Sequence, residues 1–327
     1  MKQGFLFPDP EKEERLYPRA INVASVPQRS PFRYPGGKTW FVPTFRRWMR
    51  SMHSKPSVLV EPFAGGGIIS LTALFENLAE RVVMVERDEE VAAVWQAVVN
   101  GYANWLARRV LEFNLTRDNV VRELSKRYKD CKAVAFQTLL RNRTLHGGIL
   151  AEGSGFLKHG EKGKGISSRW YPKTLARRFE NLSSVAPRIE FICGDGFQVL
   201  HNYARRQDVV YFIDPPYTVG GKRAGQRLYK YHQVDHERLF GICERLKGDF
   251  LMTYDLAEEV KQLARAHGFE MKPIAMTNTH NAEMTELIVG RDLSWMTDAP
   301  TIREKRAAYR TRAKKRHARS DKEGIVP

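Results

Sequence analysis

The run Ser57-Val58-Leu59-Val60-Glu61-Pro62-Phe63-Ala64-Gly65-Gly66-Gly67 decides the fold class, because it changes from one kind of element to another within a few residues. Val58-Leu59-Val60 is short and uniformly apolar, which predicts a buried strand ending at Glu61-Pro62. Three glycines then allow a tight turn, and residues 68–78 are apolar enough for a buried helix. A strand feeding a helix through a glycine turn is a building unit of an α/β sheet.

The same alternation extends outward in both directions. Strand-like runs fall at residues 81–86, 189–193, 209–213, 250–254 and 286–289. Helical stretches are expected at 89–113, 117–145, 235–246 and 256–266. Residues 147–168 contain seven glycines and several lysines, so they read as loop. The expected organisation is therefore a loosely ordered arm at 1–30, an α/β catalytic domain at 31–114 and 186–300, an insert at 115–185 and a tail at 301–327. The tail is a basic helix or a disordered segment, and the sequence does not choose.

The glycine turn also has a chemical reading. Gly65 and Gly67 supply part of a dinucleotide-type fingerprint, although Ser70 stands where a third small residue belongs. Glu86 ends the next strand 19 to 21 residues later, a position from which a carboxylate accepts hydrogen bonds from ribose hydroxyls. One reading is an adenosine-containing cofactor; the other is a tight turn with an incidental acid. By contrast, Gly36-Gly37-Lys38-Thr39 is not a phosphate loop, because Phe32 occupies the place of its first glycine.

Charge narrows the partner. The chain of 327 residues carries 54 Lys+Arg against 37 Asp+Glu, a formal +17. Residues 122–188 hold fifteen Lys/Arg against five acids, and residues 303–319 hold nine against Glu304 alone. The remainder is nearly neutral. Two basic blocks point to a polyanion, nucleic acid ahead of an anionic membrane, beside the plainer reading of solvated basic faces. No run is apolar enough to span a membrane, and acids and prolines at residues 8–14 replace the apolar core of a secretory signal. Cys131, Cys193 and Cys243 are widely spaced and form no CxxC pair, so no zinc site or disulfide framework is expected.

The most specific stretch is Tyr211-Phe212-Ile213-Asp214-Pro215-Pro216-Tyr217. An apolar strand delivers Asp214 to the carboxyl edge of the sheet, where α/β proteins place ligands. Two prolines stiffen the backbone and an aromatic ring follows. That set suits a planar heterocycle bearing an exocyclic amine: carboxylate and carbonyl accept from the NH2 while the ring stacks.

Taken in order, Tyr34-Pro35-Gly36-Gly37-Lys38, residues 61–67 and Asp214-Pro215-Pro216-Tyr217 resemble the Dam-type, D12-class family of S-adenosylmethionine-dependent DNA adenine-N6 methyltransferases. Arg141-Asn142-Arg143-Thr144, Asp235-His236 and residues 285–289 resemble further family segments, whereas Leu145-His146-Gly147-Gly148 departs from the family pattern. The resemblance implies a Rossmann-like methyltransferase sheet with helices on both faces and an inserted, mainly helical DNA-recognition module. It implies S-adenosyl-L-methionine as cofactor, S-adenosyl-L-homocysteine as product, no metal, double-stranded DNA as partner and a flipped-out adenine as target. Asp214, Pro215, Pro216 and Tyr217 take the catalytic place. By the same resemblance, Tyr34, Gly37, Lys38, Glu61, Phe63, Ala64, Gly65, Gly66, Gly67, Glu86, Asp195 and Asp214 are expected to surround the cofactor. Arg141, Asn142, Arg143, Lys158, Lys162, Lys164 and Arg169 are expected to contact DNA. A monomeric, cytoplasmic, nucleoid-associated enzyme of bacterial or phage origin is expected, in a restriction-modification system or outside one.

Competing readings share these residues. Cytosine N4 in DNA, an RNA amine or a protein amide could meet the same Pro-Pro-aromatic arrangement. A nicotinamide oxidoreductase would use the Gly65 to Glu86 region but leave Asp214-Pro215-Pro216-Tyr217 unexplained. A catalytically silent DNA-binding protein would leave that quartet without a purpose.

Overall fold

A computed structural model describes residues 26–34, 36–148, 150, 154–160, 163–216, 230–231, 233–277 and 283–296. Its sheet contains β1 (Val58–Glu61), β2 (Arg81–Glu86), β3 (Ile189–Cys193), β4 (Val209–Ile213), β5 (Phe250–Asp255), β6 (Glu270–Thr277) and β7 (Glu283–Gly290). Their order is β3-β2-β1-β4-β5-β7-β6. The first five run parallel, and β7 lies antiparallel between β5 and β6. β1 and β4 are buried along their whole length, as parallel strands covered on both faces must be.

One face carries α1 (Val42–Ser51), α2 (Ile68–Phe75) and α3 (Glu89–Ala97). Phe41 and Phe45 meet Phe212 of β4 at ring-centroid distances of 5.5 and 6.1 Å. Residues 89–113 do not form one helix. They break at a π-helical turn, Val98–Tyr102, where Gly101 adopts φ 81°, before α4 (Ala103–Glu112) begins. A side chain would be strained in that left-handed backbone, which glycine tolerates. Residues 117–145 likewise divide into α5 (Arg117–Leu124) and α6 (Cys131–Thr144).

The sequence pattern does not announce α1, α7 (Pro172–Val185) or α8 (Gly196–Tyr203). The opposite face of the sheet packs α8, α9 (His236–Arg245) and α10 (Glu258–Ala266) against Val60, Val85, Tyr211, Ile213, Met252 and Tyr254. β6 is equally unannounced. It contains Pro273 and sits at the sheet edge, where a missing N–H is tolerated. Met1–Leu293 is one compact unit, within which α6 packs on α3 and α7 on α4. Ser294–Pro327 forms a second unit, of which only the turn Ser294–Met296 is described. No described helix is long and apolar enough to cross a membrane.

Candidate active site

Parallel strands finish at one edge, so acids placed at their ends meet there. β1 ends on Glu61 and β2 on Glu86, while Asp195 follows β3 and Asp214 follows β4. The sheet order sets these in the sequence Asp195, Glu86, Glu61, Asp214 across the edge. Strand order reverses beside β1, opening the crevice in which such sheets hold ligands. A cavity of about 280 Å3 occupies it. All the residues expected around the cofactor line this one cavity, together with Pro215 and Pro216. Tyr217 and Pro35 lie outside the described residues.

The glycine turn is shaped by what presses on it. A Cβ on Gly65, whose φ is +47°, would lie 2.5 Å from Cε1 of Tyr34, and one on Gly66 would lie 2.9 Å from Tyr34 Cβ. Tyr34 therefore packs directly on the turn, which only glycines permit. Trp95 donates from Nε1 to the Gly65 carbonyl at 2.9 Å and fixes the turn from the α3 side. Glu86 accepts three backbone N–H groups, from Gly65 at 3.0 Å and from Arg87 and Asp88 at 2.8 Å each. A carboxylate has about four acceptor sites, so one remains on Oε2 for a ligand hydroxyl. Burial pushes the Glu86 carboxyl up to about 7 despite those donors.

Ser70, which spoiled the dinucleotide fingerprint, has its own task. Its N–H, at 3.0 Å, and its hydroxyl both donate to Glu61 Oε2, so α2 is tied to the end of β1. Burial pushes Glu61 up to about 8; the Ser70 bonds oppose the shift and the Asp214 charge adds to it.

Asp214 is held from two sides. Lys38 Nζ lies 2.9 Å from its Oδ1, and Thr253 donates to the same oxygen at 2.8 Å. The parallel pairing of Ile213 with Met252 is what brings Thr253 beside Asp214. Glu286 of β7 approaches Lys38 at 3.8 Å. Thr253 and Glu286 were not expected at the site, since no local pattern marks residues that strand pairing delivers. Lys230, Tyr231, Gln233 and Asp235 also line the cavity, and of these Asp235 alone was singled out from the sequence.

The model of the family described as D12 class N6 adenine-specific DNA methyltransferase matches residues 34–279. The chain belongs to this family. A search of curated proteins gives no match. Among solved structures, a candidate RNA methyltransferase from Pyrococcus horikoshii aligns with 13% identity and TM-score 0.35, over 86% of this chain and 93% of the other. A precorrin-6y C5,15-methyltransferase from Geobacter metallireducens aligns with 10% identity and TM-score 0.33, over 77% and 87%. A candidate class I S-adenosylmethionine-dependent methyltransferase from Listeria monocytogenes aligns with 8% identity and TM-score 0.35, over 84% and 65%.

Family membership replaces the nicotinamide reading of the glycine turn and makes S-adenosylmethionine the expected occupant of the cavity. The donor set fits it. Carboxylates at Glu86 and Asp195 suit the hydroxyls and amine of an adenosine, and the bare backbone at Gly65 and Gly66 admits a close ligand. Asp195 also caps α8, accepting from Phe197 N at 3.0 Å through Oδ1. Among the described residues no group of three or more His, Cys, Asp or Glu side chains could hold a metal ion.

The residues expected to touch DNA separate into two sets. Lys158 and Lys164 are exposed and Arg169 is partly so, while Lys162 lies outside the described residues. Arg141, Asn142 and Arg143 instead turn inward. Arg141 pairs with Glu90 and donates to the Leu150 carbonyl at 2.8 Å. Asn142 and Arg143 are buried and bond to backbone at Arg33 and Pro31. Burial beside Arg178 and Arg33 pulls the Arg143 guanidinium down to about 9. All three side chains make hydrogen bonds or ion pairs within the fold, and Arg141 remains partly exposed.

Proposed function

We propose that this protein transfers a methyl group from S-adenosyl-L-methionine to N6 of an adenine swung out of double-stranded DNA at a specific site, leaving S-adenosyl-L-homocysteine and a proton that passes from N6 to water. The observation that carries this reading is Asp214, held through Oδ1 by Lys38 and Thr253 in the lining of a cavity shared with the glycine turn. When bound, the cofactor supplies an electrophilic sulfonium methyl group.

The chain's own task is alignment. Asp214 and the Pro215 carbonyl accept hydrogen bonds from the adenine N6–H groups, which turns the nitrogen lone pair towards the methyl group. Lys38 and Thr253 fix the angle from which Asp214 does so. Glu86 takes the ribose, Asp195 the cofactor's adenine, and Tyr34 and Lys38 the methionine end. Tyr217 stacks on the extruded base, returning about 1–3 kcal/mol against an unstacking cost of a few kcal/mol.

Residues 115–185 hold the DNA. Support comes from a second cavity lined by His146, Lys158, His159 and Arg169, with no acid among the described residues around it. Arg169 lies on that cavity, and its Nε has no hydrogen-bond partner among the described residues. The basic tail at 303–319 adds affinity that does not depend on sequence.

Nucleoside mass spectrometry of DNA incubated with the purified protein and S-adenosylmethionine tests the reaction. N6-methyladenine is the expected product. Its absence from every DNA tried, the expression host's genome included, overturns the reading, and methylation by Asp214→Ala overturns the assigned mechanism alone.

A further inference from the structure

Asn142 stands on the last turn of α6 and is 1% exposed. Its Oδ1 accepts the Arg33 N–H at 2.9 Å, and its Nδ2 donates to the Arg33 carbonyl at 3.0 Å and the Gly148 carbonyl at 2.8 Å. One planar amide thus binds both polar groups of a single distant residue, as a neighbouring strand would. An amide offers two donors and two acceptor sites, so this side chain is nearly saturated. Gly148, at φ +74°, is fitted to the same clamp: a Cβ there would lie 2.7 Å from the Arg33 carbonyl oxygen.

Neighbouring side chains grip the same short segment. Arg143 donates to the Pro31 carbonyl, and Arg178 of α7 donates to the Ser30 carbonyl at 2.8 Å. Immediately beyond Arg33 come the groups that shape the site. Tyr34 covers Gly65 and Gly66, Gly37 N–H donates to the Tyr34 carbonyl at 3.1 Å, and Lys38 pairs with Asp214.

We infer that Asn142 is a positioning residue: it touches neither cofactor nor base, and it sets where Tyr34 and Lys38 stand. This rests on the proposed reaction and goes beyond it. The residue that looked like a DNA contact is the joint between α6 and the segment forming one wall of the cofactor cavity. Loss of the joint frees residues 31–38, so that Tyr34 no longer presses on the turn and Lys38 no longer holds Asp214 at a fixed angle.

The test compares wild type, Asn142→Ala and Thr144→Val. Thr144 is buried in the same helix and its hydroxyl donates to the Leu140 carbonyl, so its removal perturbs α6 without releasing Arg33. Titration calorimetry with S-adenosylmethionine should show at least tenfold weaker binding for Asn142→Ala, with Thr144→Val close to wild type. Hydrogen–deuterium exchange should rise at residues 31–38 in Asn142→Ala alone, and its DNA affinity should stay within twofold. Should Asn142→Ala fail to fold, Asn142→Asp carries the same expectation, because it keeps the acceptor for Arg33 N–H and loses both donors. Unchanged cofactor affinity, or a loss confined to DNA binding, overturns the inference. A wild-type protein that binds no S-adenosylmethionine overturns the proposed reaction, and this inference with it.

Discussion

Lys38 places its ammonium 2.9 Å from the Asp214 carboxylate with 4% of its side chain exposed, so the pair is shielded from solvent on the lysine side. Glu286 stands 3.8 Å from the same ammonium, and the Asp214 charge reaches Glu61. Lys38 therefore stands close to more than one acid. Shielding makes such a pair costly to assemble and more costly to halve, since the surviving charge is left uncompensated.

Lys38→Met should destabilise the protein by about 3–5 kcal/mol, the range for removing one partner of a buried pair. It should also lower kcat by about a hundredfold or more, because Asp214 loses its orientation. Thermal melts and steady-state methylation rates check both. A variant with normal kcat would show that Lys38 serves the fold alone.

Thr253→Val keeps the shape of the side chain and removes the hydroxyl that donates to Asp214 at 2.8 Å. Hydrogen bonds to charged groups contribute about 1.5–3 kcal/mol, so kcat/KM should fall by roughly ten- to a hundredfold. Thr253→Ser, which restores the donor, should recover most of the activity. Equal activity in all three proteins would count against a role for Thr253.

Gly65→Ala places a Cβ 2.5 Å from Tyr34 Cε1 at a φ of +47°, so either the ring or the turn must move. Strain of about 1–3 kcal/mol is expected, with KM for S-adenosylmethionine raised about tenfold. Adding Tyr34→Ala relieves the steric part, so the two changes should be less than additive in a double-mutant cycle. Strict additivity would refute the packing of Tyr34 on the turn.

Glu61 sets a pH dependence of stability. Burial raises its folded-state value from 4.5 to about 8, so the folded protein holds a proton that the unfolded chain releases near 4.5. The stabilisation is complete below about 4.5 and is lost as pH rises towards 8, at about 1.4 kcal/mol per unit. Glu86, raised to about 7, adds a slope of the same sign. Melting temperature should fall between pH 5 and 8.5 in wild type and fall less steeply in Glu61→Gln. Parallel curves would rule out Glu61 as the source.

Removal of residues 303–327 should flatten the salt dependence of DNA binding. Each phosphate that the truncated protein no longer neutralises reduces the slope of log K against log salt by about 0.9. The tail holds nine Lys/Arg between residues 303 and 319, so loss of the whole set would reduce the slope by about 8. An unchanged slope would leave the tail as a solvated segment.

The local pattern by itself determined much of this protein. Val58-Leu59-Val60, the glycine turn and the strand over 209–213 were legible because burial on both faces demands an unbroken apolar run, and the left-handed backbone at Gly65 and Gly67 demands glycine. Gly65, Gly67 and Glu86 were legible for the same reason, since turns and strand ends leave local marks, whereas Tyr34, Lys38 and Asp195 were reached only through the family resemblance. Tertiary structure decided the rest. Thr253 and Glu286 reach Asp214 and Lys38 through strand pairing and sheet order, which no short window contains. Asn142 and Arg143 looked like polar groups for DNA; only packing shows that their hydrogen bonds go to backbone at Arg33 and Pro31, more than a hundred residues away. A buried polar group must find its partner wherever the chain brings one, and that choice is made by the fold.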